Sequence, residues 1–385
     1  MVKAVLINAV TRRQRPYRSD HPLAIPRTAL AIDLIRAYDA LADDELLAGR
    51  VAEVGELAWF HTGDYIAALQ AAEANGGLRD GDRERFQLGT AENPYFDHLF
   101  TIPARATGGS IQAAEEVLKG RIAFNPAGGM HHARAASAQG FCYFNDPVLG
   151  ILRLRRAGWR VLYADIDAHH GDGVEQAFFD DPGVLTLSLH MDTAYAYPFR
   201  GGRLADCGSA QGGHATINVP LPQGTHDAEY RLLFDAVWRP ALEKFRPDAV
   251  VLQAGTDMLA ADPLGKLKIS TECFLDIVKI VMNDAPRHAD GTPRLLVTGG
   301  GGYHPLLLAR AWTGLWGLLS GRELPAAIPA AGAEVLRRAG WDLDEDEPYF
   351  SGLFVSRFDH PEPEKISQQI QWLVKNIRYH PYFQA

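Results

Sequence analysis

Val161-Leu-Tyr-Ala-Asp165-Ile-Asp167-Ala-His169-His170-Gly-Asp172-Gly173 joins an apolar run to a cluster of acids and histidines. It opens as a short apolar run with no in–out alternation, as a strand covered on both faces does. Its apolar character then ends in carboxylates and imidazoles. In an extended chain, residues two apart share a face, so Asp165, Asp167 and His169 point one way as the strand ends. Carboxylate plus imidazole is a ligand set that suits zinc or iron. A solvated loop with a capping Asp is the plain alternative for an Asp-Xaa-Asp pair. His169 in phase, and a Gly on either side of Asp172, favour the metal reading.

The same alternation extends along the chain. Strands are predicted over residues 3–8, 161–166, 184–190, 217–221, 249–253 and 294–298. Helical segments lie between them. One runs over 145–157, with Asp146 as N-cap and Pro147 in the first helical position. Another covers 226–245 after Thr225 as cap. A third runs from Ser270 to about 283, and a fourth covers 305–319. This pattern predicts an α/β fold: one domain over residues 1–385, with a mostly parallel central sheet and helices on both faces. Residues 322–385 read as a C-terminal extension packing on the core, with a docking helix at 366–377. In such sheets ligands bind beyond the carboxyl ends of the strands, so the residues just past each strand matter most.

Composition is that of a globular protein, with 47% hydrophobic and 22% charged residues among 385. The net charge of −9 argues against general nucleic-acid binding, which depends on neutralising phosphates, and suits cationic or amine substrates. Cys142, Cys207 and Cys273 are odd in number and form no Cys-Xaa-Xaa-Cys pair, which points to a reducing cytoplasm. The opening apolar run is too short for a signal peptide, and no segment approaches the roughly 18–20 apolar residues of a membrane span.

Three further strand ends carry chemistry. Ala254-Gly-Thr-Asp257 comes directly after residues 249–253, placing Asp257 where a third metal ligand would arrive, although a lone Asp there is often a helix cap. Asp167, His169 and Asp257 would leave the fourth position of a catalytic metal open. Pro126-Ala-Gly-Gly-Met-His131-His132 sets two histidines behind a glycine pair. They suit a metal site, an acid/base pair or a surface accident; Asp165 and Asp172 are available to fix their tautomers. Gly299-Gly-Gly-Gly302-Tyr303 comes after the strand at 294–298 without the Lys-Ser/Thr ending of a phosphate loop. Its alternatives are a flexible turn or a close backbone approach that presents the Tyr303 hydroxyl to an oxyanion.

Taken together, these segments resemble the zinc-dependent histone deacetylase family, with its arginase–deacetylase fold. The resemblance runs from about His21 to Leu319 and includes GGMHHA (128–133), GFCYFNDPVLGILRLRR (140–156), ADIDAHHGDGVEQAF (164–178), TLSLH (186–190), INVPLP (217–222), VVLQAGTDMLAADPLG (250–265) and TGGGGYHP (298–305) in the family's order. It is similar to bacterial acetoin-utilisation deacetylases and class I-like enzymes. The resemblance implies zinc on Asp167, His169 and Asp257; the ligand set itself tolerates ferrous iron as well. It implies His132 as general base and acid, bonded to Asp172, and His131 as its partner, held by Asp165. Tyr303 would donate to the substrate carbonyl. Gly140, Phe141, Leu264 and Gly301 would line the acyl-lysine channel, and Arg27 would lie near the acetate exit. One potassium ion is implied at Asp165, Asp167, His169, Ser188 and Leu189, and a second near Phe178, Asp181 and Val184.

The implied activity is hydrolysis of N-acyl amides, mainly deacetylation of acetyl-lysine in proteins or peptides. The chain departs from the family where Tyr195-Ala-Tyr197-Pro-Phe199-Arg200 replaces a Phe-Pro-Gly-Thr-Gly segment, which leaves Tyr197 as the expected second channel wall. The family's substrate-clamping acid falls on Gly89-Thr-Ala-Glu92-Asn93, with Glu92 in that role. Alternatives are an acetylpolyamine amidohydrolase, an arginase-like dinuclear manganese enzyme and a scaffold without catalysis. No membrane partner is expected, and homo-oligomerisation is left open.

Overall fold

Each strand that positions the site is apolar on both faces. The computed structural model describes residues 3–9, 17, 21–339, 350–354 and 365–384. Its strands are β1 (Ala4–Asn8), β2 (Leu46–Ala48), β3 (Ile122–Asn125), β4 (Val161–Asp165), β5 (Val184–Met191), β6 (Thr216–Leu221), β7 (Ala249–Gln253) and β8 (Leu295–Thr298). They form one sheet in the order β2-β1-β3-β8-β7-β4-β5-β6. Every ladder between them is parallel.

Alternation along the strands divides the core. Leu162, Ala164, Val250 and Leu252 face one layer, built with the helices Arg27–Ala37, Asp227–Phe245, Thr271–Asp284 and Pro305–Ser320. Val161, Tyr163, Ala249 and Val251 face the other, covered by Thr101–Leu118, Asp146–Arg155 and Asp172–Phe178. Burying both sides of a strand explains why these runs lack a polar face. A third apolar cluster, with Tyr65, Phe86, Leu99 and Phe144, forms a lobe beside the sheet. Among the described residues no helix is long and apolar enough to cross a membrane.

Register aligns the strand ends. Asp165 pairs with both Ser188 and Gln253, Gln253 with Thr298, and Thr298 with Asn125. Whatever leaves β3, β8, β7, β4 and β5 therefore emerges at one level on one edge.

Several local expectations need correction. β2 and β3 lie outside the predicted strands; they are only three and four residues long. The helix predicted over 145–157 spans Asp146–Arg155, and its N-cap is Asn145, which accepts from Val148 N. Asp146 instead turns inward and accepts the N–H groups of Gly129 and Met130. Thr225 does not cap the next helix: its hydroxyl donates to Pro222 O, and His226 holds the N-cap position. Ser270 does cap its helix, accepting from Cys273 N. Within 322–385, Leu336, Ile370, Leu373, Ile377 and Tyr382 join the main core. The helix expected at 366–377 is Gln368–Ile377.

Candidate active site

Four strand ends build one buried pocket. Asp165 closes β4, and the chain beyond it carries Asp167 and His169; Asp257 lies just past β7. One ligand atom from each of Asp167, His169 and Asp257 lies within 4.8 Å of the others. Backbone amides hold both carboxylates in place: Gly301 N donates to Asp167 Oδ2 at 2.6 Å, and Ala168 N donates to Asp257 Oδ1 at 2.8 Å. Asp257 Oδ2 and Asp167 Oδ1 approach His169 Nδ1 at 2.8 and 3.4 Å. Burial disfavours an imidazolium, but the Asp257 charge and hydrogen bonding to both carboxylates outweigh it and push the His169 imidazole up to about 10. Two fully buried carboxylates against one imidazole demand positive charge, which a divalent cation supplies. The donor set therefore fits a metal.

Gly301 owes its identity to this crowding. A Cβ there would overlap Asp257 Oδ2 and stand 3.0 Å from Asp167 Oδ2. The glycine run after β8 is thus a close backbone approach to the ligands rather than a slack turn.

The two histidines lie beside the triangle. His131 Nδ1 donates to Asp165 Oδ2 and His132 Nδ1 to Asp172 Oδ1, each at 2.9 Å. Their Nε2 atoms face one another at 3.0 Å, a distance that holds one proton between them. Burial works against charging His131, but the Asp165 and Asp167 charges prevail and raise it to about 9. Burial and the charge of His131 push His132 down to about 3, against the pull of Asp172. His132 Nε2 is therefore the unprotonated acceptor of the pair while its neighbour carries the proton. Asp172 stays well below the usual carboxylate range despite burial, because His132 and Arg134 both stabilise its charge. Asp165 also accepts the Tyr163 hydroxyl at 2.6 Å.

Tyr303 closes the pocket opposite. Its ring stands edge-on to His169 at 6.5 Å and to Phe141 at 6.3 Å. Burial, reinforced by Asp257 and Asp167, raises its phenol well above the ordinary value, so it stays protonated. Gly140, Phe141 and Gly301 line the narrow pocket over the ligands, about 20 Å³ in volume. That is room for about one water. Arg27 donates to Gly300 O at 3.1 Å and Gly302 O at 2.8 Å. Leu23, Arg27, Met130 and Phe141 also line an apolar cavity of about 160 Å³ behind the pocket.

The remaining expected residues lie outward or beneath. Tyr197 packs edge-on against His132 at 4.9 Å, and its hydroxyl donates to Glu92. Both line a polar groove of about 920 Å³. Leu264 is a half-exposed side chain that does not line the pocket over the ligands; its amide donates to Asp262. Asp165 and Ser188 are register neighbours, with Ser188 Oγ 2.8 Å from His190 Nδ1 and Leu189 buried. Phe178, Asp181 and Val184 form one turn, in which Phe178 O accepts from Asp181 N and Asp181 O from Val184 N.

Sequence reasoning missed three supporting residues. Arg134 ion-pairs with Asp172, Asp262 accepts from Tyr303 N at 2.6 Å, and Gln253 Nε2 donates to Gly129 O at 2.9 Å. Asp262 stands five residues beyond Asp257 on a strand-end loop, a signal that could have found it.

Such a pocket, on a parallel sheet of this topology, defines a metal-dependent amidohydrolase, and the chain belongs to the histone deacetylase family. The histone deacetylase domain matches residues 21–319. The chain is 38% identical over 309 residues to histone deacetylase 8 of Xenopus tropicalis, covering 79% of this chain and 81% of that one. It is 38% identical over 317 residues to histone deacetylase RPD3 of Saccharomyces cerevisiae, covering 81% of this chain and 71% of that one. The crystal structure of a histone deacetylase homologue from Aquifex aeolicus matches with a TM-score of 0.89 at 38% identity, over 98% of this chain and 100% of that one.

Proposed function

We propose that the protein is a zinc-dependent deacetylase of acetyl-lysine in peptides or proteins. The buried Asp167–His169–Asp257 triangle beside a histidine pair sharing one proton carries this reading. Those three residues would hold the metal; ferrous iron suits the same donors. When bound, the cation supplies Lewis acidity toward an amide carbonyl and toward water. His132 Nε2 accepts the proton of the attacking water and later returns it to the leaving amine. Asp172 holds the tautomer that leaves this atom unprotonated, and protonated His131 balances the charge of Asp165. The Tyr303 hydroxyl donates to the developing oxyanion. Gly140, Phe141 and Tyr197 form the channel walls, and Arg27 and the cavity behind the pocket would receive the released acid.

Potassium at Asp165, Asp167, His169, Ser188 and Leu189 would support the ligand loop from beneath. A second ion at Phe178, Asp181 and Val184 would stiffen the turn before β5. The net charge of −9 and the thiols free of disulfide partners support a cytoplasmic protein that does not bind nucleic acid.

A peptide is favoured over an acetylpolyamine by the groove at the channel mouth. It is open, and the carboxylate lining it, Glu92, already accepts the Gly140 N–H and the Tyr197 hydroxyl, while Arg200 adds positive charge, so a polyamine tail finds no free acid there. Turnover of an acetyl-lysine peptide should exceed that of monoacetylated diamines when both are assayed with defined zinc. Faster turnover of the diamines would overturn the peptide assignment.

A further inference from the structure

Glu92 is bonded to both walls of the channel. Its Oε1 accepts the N–H of Gly140 on one side and the Tyr197 hydroxyl, at 2.5 Å, on the other. Its neighbour Asn93, almost wholly buried, accepts the N–H of Phe141 at 3.0 Å. The loop carrying them is itself tied down, with Gly89 N donating to Asn93 O at 2.7 Å and Asn93 N to Thr90 Oγ1 at 2.9 Å. Gly140 and Phe141 are consecutive left-handed residues, with φ of 56° and 67°. A phenylalanine in that region is strained and persists where its surroundings hold it. Here two adjacent side chains of one loop capture both amides. Both walls also touch His132: Gly140 backs directly onto its ring, and Tyr197 stands edge-on to it.

We propose that residues 89–93 brace the channel, with Glu92 and Tyr197 as a positioning pair that fixes the walls and His132 between them. The proposal rests on the deacetylase reading of the channel. It differs from a substrate clamp in what it asks of Glu92. A clamp needs the carboxylate charge free for the substrate backbone; a brace needs one acceptor oxygen facing two donors, which a glutamine supplies equally well.

The test compares Glu92→Ala, Glu92→Gln and Tyr197→Phe on two substrates: an acetyl-lysine peptide and Nε-acetyl-lysine amide, which lacks flanking residues. Glu92→Ala and Tyr197→Phe should each lower kcat/KM by about tenfold, the size of one hydrogen bond. The loss should be equal on both substrates and lie in kcat. Glu92→Gln should restore most of what Glu92→Ala removes. A rise in KM confined to the peptide in Glu92→Gln, with Tyr197→Phe unaffected, would overturn the brace and support a clamp. Thermal unfolding reads the pair without turnover. The Glu92→Ala/Tyr197→Phe double variant should melt no lower than the weaker single variant, since both remove one contact. Additive shifts in Tm would overturn the pairing. Absence of turnover by the unaltered protein on either substrate would refute the deacetylase reading, leaving the unfolding result to judge the brace.

Discussion

Gly140→Ala isolates how tightly His132, the proposed general base, is held. A Cβ at this position would stand 2.5 Å from His132 Cδ2, 2.8 Å from Cγ and 2.9 Å from Cβ. Carbon atoms in contact prefer about 3.5–4.0 Å, so the ring must retreat by about 1 Å. It has little freedom to do so, because Asp172 holds Nδ1 at 2.9 Å and His131 Nε2 lies 3.0 Å from its own Nε2. A misplacement of about 1 Å costs on the order of 100-fold in rate. The backbone adds a separate penalty: at φ 56° an alanine costs about 1–2 kcal/mol of stability. Steady-state kinetics on an acetyl-lysine peptide should therefore show about a 100-fold fall in kcat/KM, and urea unfolding a loss of about 1–2 kcal/mol. Gly63→Ala, at the start of a helix with no atom within 4 Å of the added methyl, is the control and should retain activity. Activity of Gly140→Ala within twofold of the parent would refute the claim that His132 is fixed in place.

Tyr303→Phe should lower kcat about 100- to 1,000-fold, the cost of an oxyanion donor, with bound metal measured by elemental analysis unchanged. Full activity would remove Tyr303 from the chemistry. Chelation should abolish turnover and lower Tm, because Asp167 and Asp257 are then buried without their counter-charge; zinc should restore both, and a protein indifferent to chelator has no catalytic metal. Asp146 sets a pH dependence: burial raises its carboxyl from 3.8 to about 6, against hydrogen bonds from Ser110, Met130 and Gly129. The folded protein then holds this proton to higher pH than the unfolded chain does. Its contribution is full below pH 3.8 and is lost as pH rises toward 6, by about 3 kcal/mol. Asp146→Asn should flatten that part of the stability–pH curve; an unchanged slope contradicts the assignment.

The metal triangle was legible because strand geometry fixes the phase of side chains. Asp165, Asp167 and His169 are two apart, and Asp257 comes after a strand of matching apolar length, so both groups had to emerge at one sheet edge. The histidine pair was legible only as alternatives, because its meaning depends on Asp165 and Asp172, which lie 34 and 40 residues away. Gly140, Phe141 and Tyr197 were expected as channel walls only from the resemblance, and the bonds that join them were not legible without the fold. Glu92 reaches Gly140 across 48 residues and Tyr197 across 105, contacts that no local pattern encodes. β2 and β3 escaped for a different reason, since runs of three and four residues carry too little periodicity to be told from a turn. Asn145 and Asp146 show the limit of cap rules: both are good caps by type, and Asp146 turns inward because Gly129 and Met130 offer it unpaired amides.

The position of β8 has a consequence for how the protein is made. It lies between β3 and β7, so among the described residues the first three strands meet the later four only through the strand that is last in sequence. Before β8 is made, β3 and β7 each lack the neighbour that joins them in the finished sheet. The histidine pair follows β3, and the candidate metal ligands follow β4 and β7. Insertion of β8 joins them and, in the same event, delivers Gly301 and Tyr303 to the pocket. A nascent chain therefore cannot assemble the whole candidate site before β8 is available, and an edge strand left unpaired until then is open to mispairing.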